Sequence, residues 1–253
     1  MTAYQAFVAE HGKRVLRAVT LMVIAAVFIY LGQLATNKLL DPDVLPYRTV
    51  TVEGSFKHVD ADTVRAIVAP YLGDGFFGVD VGDIRQALRA IPWVDSATVR
   101  RVWPDEIRVT LFEQTAIAHW GDKALLNSAD EVFKPDDPAG IEGLPYVHGP
   151  EGTAGTVMAT YRIMTRMLAS HDLHIRRLNL DERRAWHLSL DDQLELVLGR
   201  ENAMERLQRF IRFYPEVLAG KVREIKAVDL RYTNGFVVRW NIPREKVFNS
   251  GMG

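Results

Sequence analysis

The longest apolar stretch of the chain lies close to its N-terminus and contains no charged residue. It reads AVTLMVIAAVFIYLGQLATN and occupies residues 18–37, between Arg17 and Lys38. An α-helix rises about 1.5 Å per residue, so this segment spans roughly 30 Å, the thickness of the hydrocarbon core of a bilayer. The pattern therefore predicts a single transmembrane helix over residues 18–37.

The residues that precede this segment predict its orientation. Lys13, Arg14 and Arg17 are basic, and by the positive-inside rule they keep residues 1–17 in the cytoplasm as a short tail. The rest of the chain would then lie outside the cytoplasm. A cleaved signal peptide is the alternative, but its apolar region is usually only about 7–15 residues long. The length of the apolar segment favours an uncleaved anchor.

The next part of the chain shows two kinds of hydrophobic period. After a spacer predicted at residues 38–45, the alternation in YRTVTVEG indicates a strand. Apolar residues at helical spacing then indicate two helices, with Asp60 and Asp80 as their N-caps. Two more strands follow on either side of WPDE, which is typical of a turn. Residues 46–114 therefore predict the order β-α-α-β-β, with both helices on one face of the sheet.

From residue 115 onward the pattern changes and short strand-like runs dominate. Two amphipathic helices interrupt the strands, and Pro215 should end or kink the second one. The last two strands, EIKAVDLRY and FVVRW, flank Thr-Asn-Gly, which favours a hairpin. Residues 246–253 are expected to form a flexible tail. The combination of separate helices and antiparallel strands predicts the fold class α+β.

The FVVRW segment, residues 236–240, is apolar on both faces, and two interpretations remain open. An apolar strand of this kind is often covered on both sides inside a sheet. As the last strand of the chain it could instead lie at a sheet edge, where charge or proline normally prevents pairing with other chains. An edge without such protection can pair with an extended segment of a partner.

Composition and charge narrow the classes of function. The net charge of −1 gives no basic field of the kind that attracts nucleic acids. The chain has no cysteine, which excludes a disulfide scaffold and cysteine-ligated metal centres.

Candidate catalytic and metal-binding motifs are weak. HDLH places His171 and His174 three residues apart, but no carboxylate motif accompanies them, and surface polar residues are the commoner explanation. GDGFFG lacks the Lys-Ser/Thr pair of a phosphate-binding loop. The sequence contains no Gly-x-Ser-x-Gly and no Ser-x-x-Lys. A membrane-anchored hydrolase would therefore have no visible active site in this sequence, and we expect no cofactor and no bound metal.

Several elements taken together resemble the FtsQ/DivIB family of bacterial cell-division proteins, over nearly the whole chain. A short basic tail and one membrane segment come first, and the matching segments follow. These segments are VTVEG (50–54), IPWVDSATVRRVWPDEIRVTLFEQTAIAHW (91–120), HGPEGTAGTVMATYR (148–162), RRAWHLSL (183–190), LGRENAMERLQRFIRFYP (198–215) and VDLRYTNGFVVRW (228–240).

The resemblance implies a polypeptide-transport-associated (POTRA) domain at residues 46–114 and a second, mainly antiparallel β domain at residues 115–245. It also implies a non-enzymatic scaffold of the division complex. The protein would lie in the inner membrane at the division septum, with its C-terminal domains in the periplasm. Its β domain would bind the bitopic proteins FtsB and FtsL, and FtsK and the septal peptidoglycan synthase pair FtsW and FtsI would be further partners. By matching motif, the FtsB contact falls on Arg184, Arg231, Tyr232, Asn234, Gly235, Phe236, Arg239 and Trp240.

Two functions of other classes remain open at this point. A POTRA-containing transport or membrane-assembly factor would be expected to carry several POTRA repeats or a following barrel of alternating strands. A membrane-anchored cell-wall enzyme would need a pocket with converging carboxylates or histidines, and the sequence offers no motif for one.

Overall fold

The computed structural model describes residues 2–39, 47–190, 194–233 and 235–241. It divides into two compact units, Met1–Glu113 and Gln114–Gly253. Most of the predicted spacer, the predicted tail at residues 246–253 and the candidate contact residue Asn234 lie outside the described residues.

The first element is one long helix, α1 (Thr2–Leu39). Its segment Val19–Lys38 has a mean hydropathy of 2.0, and the rest of the chain buries none of it. By length and composition this segment is able to cross a membrane, which confirms the predicted apolar helix. The helix also includes residues that the sequence pattern assigned to a tail. No proline interrupts residues 2–17, so the helical hydrogen bonds extend through them.

The remainder of the first unit has the predicted β-α-α-β-β order, with a 3-10 helix, Ala69–Asp74, and a one-turn helix, Gly75–Gly78, between the two main helices. Its three strands form a sheet in the order β1-β3-β2, in which β1 and β3 are parallel and β2 and β3 are antiparallel. Alternate residues of β3, namely Ile107, Val109 and Leu111, are fully buried in the core of this unit. The elements are β1 (Thr49–Gly54), α2 (Ala61–Val68), α3 (Gly75–Gly78), α4 (Val81–Arg89), β2 (Val94–Val102) and β3 (Glu106–Glu113).

The two predicted helix caps in this unit differ. The Asp80 carboxylate accepts a hydrogen bond of 2.7 Å from the Gly82 amide at the start of α4, as expected for an N-cap. Asp60 occupies the N-cap position of α2, but its side chain accepts no capping hydrogen bond, so the prediction of a capping side chain is wrong there. The loop before α2 is held instead by Glu113, whose carboxylate accepts hydrogen bonds from the amides of residues 57–59.

Within the described residues, the second unit is built on a nine-stranded sheet in the order β12-β11-β10-β9-β8-β7-β4-β5-β6. Most neighbours are antiparallel, but β4–β7, β7–β8 and β10–β11 are parallel pairs. The strands are β4 (Ala116–Trp120), β5 (Ala124–Asn127), β6 (Val132–Phe133), β7 (Tyr146–His148), β8 (Ile175–Leu180), β9 (Trp186–Leu190), β10 (Glu195–Gly199), β11 (Ile225–Asp229) and β12 (Val237–Trp240).

Both helices of this unit, α5 (Ala154–Leu168) and α6 (Ala203–Phe213), pack against the same face of the sheet. One row of buried residues runs straight across that face: Leu178, Leu188, Leu196 and Val228 occupy matching positions on β8, β9, β10 and β11. Because side chains alternate along a strand, their neighbours in sequence point to the other, open face. The α-helical geometry of α6 ends at Phe213 and a π-helical segment, Tyr214–Leu218, continues through Pro215, which agrees with the predicted interruption of the α-helix at this proline.

Candidate partner-binding site

The strand β12 is the last one at its end of the nine-stranded sheet. It pairs with β11 on one side, and among the described residues no strand pairs with its other side. Trp240 keeps 47% of its surface exposed, and Val237 is exposed to the same degree. The strand is therefore an exposed edge, and the interpretation as an ordinary buried strand does not describe it.

The pairing register of β11 and β12 shows that the side chains on the two faces of β12 have different surroundings. Val238 lies opposite the buried Val228 and packs against the core below the helices. Val237 and Arg239 lie opposite Asp229 and Ala227, and they point to the open face. A strand added to this edge would continue both faces of the sheet.

The antiparallel pairing of β11 with β12 confirms the predicted hairpin, but the connection between the two strands is longer than the predicted Thr-Asn-Gly. The β11 strand ends at Asp229 and β12 begins at Val237, so their connection runs over residues 230–236, of which residue 234 lies outside the described residues. The guanidinium of Arg209 on α6 donates hydrogen bonds of 2.7–2.8 Å to the carbonyls of Leu230, Tyr232 and Thr233. These hydrogen bonds from a distant helix provide donors for the three carbonyls, and they hold this connection in place.

An ion pair inside the chain fixes the start of this loop. Asp229 is only 8% exposed, and Nε and Nη2 of Arg231 donate to its two carboxylate oxygens at 2.9 and 2.6 Å. The hydrogen bonds from Arg231 lower the pKa of Asp229 below its ordinary value, and the carboxylate raises the pKa of Arg231. Gly199 has a φ of +76°, and a Cβ on it would come within 3.0 Å of Cγ of Arg231. The Arg231 side chain thus packs along the sheet end, with its guanidinium bound to Asp229.

The turn between β8 and β9 contains Arg184, the candidate contact residue in the segment RRAW. The Asp181 carboxylate accepts hydrogen bonds from the amides of Arg183 and Ala185 at 2.9 and 2.7 Å. The bond from Ala185 is the main reason that the pKa of Asp181 lies below its ordinary value. Arg184 has a φ of +64°, in the left-handed region, and its side chain is exposed. The turn therefore holds Arg184 outward at the cost of an unfavourable backbone conformation.

The sheet brings this turn and the β11–β12 loop to the same end. Leu180 lies opposite Trp186, Trp186 opposite Gly199, and Val197 opposite Asp229, so the ends of β8, β10 and β11 coincide. The Arg184 turn lies three strand spacings from β12, which is roughly 14 Å at about 4.8 Å per strand.

The remaining candidate residues lie along the loop and the edge. Tyr232 is 54% exposed, Gly235 and Phe236 are partly buried, and Arg239 and Trp240 are exposed on β12. The Phe236 ring contacts the Phe213 ring on α6 with a centroid distance of 6.2 Å. The structure thus places the described candidates at one end of the sheet and along its adjoining edge.

Three residues that organise this site were missed by sequence reasoning: Asp181, Arg209 and Asp229. Asp181 could have been found, because an aspartate that starts a polar turn often bonds to amides two or more residues ahead. Arg209 lies between apolar positions of an amphipathic helix. The sequence pattern alone does not indicate that its guanidinium contacts the connection between β11 and β12. Within the described part of the chain, no three His, Asp or Glu side chains come together to hold a metal ion.

Comparisons with known proteins match both units. A family model described as "POTRA domain, FtsQ-type" matches residues 45–114, and one described as "Cell division protein FtsQ/DivIB, C-terminal" matches residues 118–231. The chain is 36% identical to the cell division protein FtsQ of Shewanella oneidensis over 231 residues, which cover 90% of this chain and 88% of that protein.

Two further relatives give the same result. The cell division protein FtsQ of Xanthomonas campestris pv. campestris is 38% identical over 193 residues, covering 76% of this chain and 69% of that protein. The cell division protein FtsQ of Burkholderia pseudomallei is 34% identical over 228 residues, covering 88% of each. These relatives are named as cell division proteins and not as enzymes.

Proposed function

The chain belongs to the FtsQ/DivIB family of bacterial cell-division proteins, and from this premise we propose that it is a non-enzymatic scaffold of the division complex. Residues 1–17 form its cytoplasmic tail, residues 18–37 cross the inner membrane and residues 38–45 are the spacer. The POTRA domain at 46–114, the β domain at 115–245 and the tail at 246–253 lie in the periplasm, concentrated at the septum. The membrane-length helix and the basic residues before it support this topology.

The β domain binds FtsB by strand addition at β12. In this binding mode an extended segment of the partner joins the sheet edge, main-chain hydrogen bonds provide affinity, and side-chain pockets provide specificity. The single observation that carries the proposal is the position of β12 at the sheet edge with an unpaired outer side among the described residues. FtsL reaches the same surface together with FtsB, while FtsK and the FtsW/FtsI pair are further partners in the complex.

Side chains around the edge divide into anchors and positioning residues. Trp240 and Tyr232 are aromatic and about half exposed, which suits anchors in a binding hot spot. Phe236 is an anchor with part of its ring already packed inside the domain. Arg184 and Arg239 meet acidic residues of FtsB, whereas Arg231 is bound to Asp229 and positions the loop.

Both proteins are anchored in the same membrane, which affects the affinity that is needed. Confinement to one bilayer raises the effective concentration of the partner, so a modest intrinsic affinity is sufficient. The alternatives of a transport factor and a cell-wall enzyme receive no support, because the matching POTRA model is FtsQ-type and the relatives are named as cell division proteins.

Hydrogen exchange tests the strand addition directly. The full chain, reconstituted in lipid nanodiscs, is compared with and without FtsB. We expect slower exchange at residues 236–241 when FtsB is present, because strand addition gives the outer amides of β12 new acceptors. The opposite edge strand, Val132–Phe133, is the internal control and should not change. Unchanged exchange in β12 at saturating FtsB contradicts the proposal.

The scaffold role itself is tested in cells. Depletion of the protein should give filaments with unconstricted division sites, because septal synthesis lacks its assembled complex. Normal division after depletion contradicts the scaffold role even if FtsB binding is intact.

A further inference from the structure

The open face of the second sheet carries a group of basic side chains at the end opposite the Arg184 turn. They line a groove of about 550 Å³ that extends from β8 to β11. We call it the basic groove and define it by Arg176, Arg177, Ser189, Glu195, Arg223 and Lys226.

The charges in the basic groove are strongly unbalanced. Four side chains, Arg176, Arg177, Arg223 and Lys226, are cationic and exposed, and among the described residues that line the basic groove Glu195 is the single carboxylate. Among the described residues none of these four cations forms a salt bridge, although the guanidinium of Arg177 lies 4.9 Å from the centre of the Tyr146 ring. An excess of exposed cations in one groove gives it a positive potential, which favours an anionic ligand.

The register fixes where these charges lie. Arg177 lies opposite Ser189, Ser189 opposite Glu195, and Glu195 opposite Ala227, so a straight row crosses from β8 to β11. Lys226 lies at the register shift between Ile225 and Ala227, where the alternation of β11 is interrupted, and it lines the basic groove together with Arg223, which lies in the 3-10 helix Ala219–Glu224 before β11. The two cationic ends of the basic groove are therefore three strand spacings apart, roughly 14 Å, with Glu195 between them.

We propose that the basic groove binds an acidic peptide segment of a protein partner. An extended peptide advances about 3.3 Å per residue, so carboxylates at positions i and i+4 reach the two cationic ends. Glu195 repels a carboxylate at i+2 and can accept a hydrogen bond from a donor there. The basic groove thus selects an extended segment with acidic residues four apart and a neutral or donor side chain between them.

The shape and charge of the site favour a peptide over an anionic membrane surface. A volume of about 550 Å³ is the size of a pocket for a short segment, whereas a flat lipid surface contacts side chains that project from a convex face. The net charge of −1 gives the chain no general attraction to anionic lipids. This inference does not depend on strand addition, because the cationic residues lie on β8, on β11 and before β11, although Asn241 next to the end of β12 also lines the basic groove.

The test uses hexaglutamate with a fluorescent label and the full chain in phosphatidylcholine nanodiscs at low salt. Binding is measured by anisotropy for the wild type and three variants. We expect Lys226→Glu combined with Arg177→Glu to weaken binding roughly tenfold or more, and Glu195→Gln to strengthen it. Arg212→Glu on α6, an exposed arginine on the opposite side of the sheet, is the matched control and should change affinity little.

The outcomes separate this inference from its alternatives. Added salt should weaken hexaglutamate binding, because the contacts are ionic. Absence of binding, or equal loss in the Arg212→Glu control, overturns the proposal. A second result also overturns the proposal: the wild type binds phosphatidylglycerol vesicles, the double variant does not, and hexaglutamate binds neither. The occupant of the basic groove is then a lipid. Circular dichroism of each variant establishes that it is folded, and β12 hydrogen exchange with FtsB reports separately on strand addition.

Discussion

Trp240 lies opposite Ile225 in the register of the last two strands, and the two side chains have very different surroundings. Ile225 is buried in the core, whereas Trp240 is 47% exposed. The indole is thus fixed by strand pairing on one side and is available to a partner on the other. A large aromatic side chain held in this way loses little conformational entropy when a partner covers it.

Replacement of this indole tests its role as an anchor. We expect Trp240→Ala to weaken FtsB binding by about 2 kcal/mol, because truncation of a hot-spot aromatic typically costs that much or more. The measurement is a titration of the full chain in nanodiscs with FtsB. Trp103→Ala is the control, since Trp103 is 75% exposed and lies on the first unit in the turn between β2 and β3. Equal affinity of wild type and Trp240→Ala contradicts the anchor role.

The loop before β12 depends on one guanidinium from α6. Arg209→Ala removes the donors to the carbonyls of Leu230, Tyr232 and Thr233, so we expect faster hydrogen exchange in residues 230–236 and about 1–3 kcal/mol less stability. The control is Arg212→Ala on the same helix, whose exposed side chain forms no hydrogen bond with this loop among the described residues. If the loop exchanges equally fast in both variants, Arg209 does not hold it.

The Asp229–Arg231 pair predicts a dependence of stability on pH. The folded state lowers the pKa of Asp229, so the pair stabilises the fold at pH values above the unfolded pKa, about 3.9. That contribution is lost as the pH falls through the folded pKa. We expect Asp229→Asn to cost about 1 kcal/mol at neutral pH, because Arg231 is 60% exposed and water screens the pair.

Urea unfolding of both proteins in detergent micelles between neutral and acidic pH measures this difference. The free energies of unfolding of wild type and Asp229→Asn should converge at acidic pH. A constant difference across the pH range would mean that the charge of Asp229 does not contribute and that the substitution acts through packing.

The spacing of hydrophobic residues along the chain was sufficient to predict those helices and strands that are determined by residues close in sequence. Ile107, Val109 and Leu111 alternate in the sequence and are buried as alternation requires, and Pro215 follows the end of α6 as its missing amide requires. The family motifs placed the candidate contact residues on one sheet end and its edge. The spacing of hydrophobic residues could not predict the parallel pairing of β10 and β11, because contacts between segments distant in sequence decide the order of strands in a sheet.

The connection between β11 and β12 shows how far a local signal reaches. Asn-Gly correctly predicted that the two strands form a hairpin, but it did not predict the length of the connection. The carbonyls of Leu230, Tyr232 and Thr233 accept hydrogen bonds from Arg209, more than twenty residues away. A sequence pattern contains no information about a donor that only the tertiary fold brings to the loop.

Arg184 offers a way to separate the charge of a contact residue from its effect on the fold. Its φ of +64° is unfavourable for arginine and readily adopted by glycine. Arg184→Gly should therefore leave the free energy of unfolding unchanged or raise it by about 0.5–1 kcal/mol. The same change should weaken FtsB binding several-fold at low salt, because an outward cation that meets an acidic partner is lost.

The neighbouring Arg183 provides the control, since it is equally exposed but has no positive φ. Arg183→Gly should lower stability slightly and change affinity less than Arg184→Gly. Titration with FtsB at two salt concentrations, together with urea unfolding, measures both quantities for each variant. Loss of stability in Arg184→Gly would show that the arginine side chain supports the turn, and undiminished binding would remove Arg184 from the contact surface.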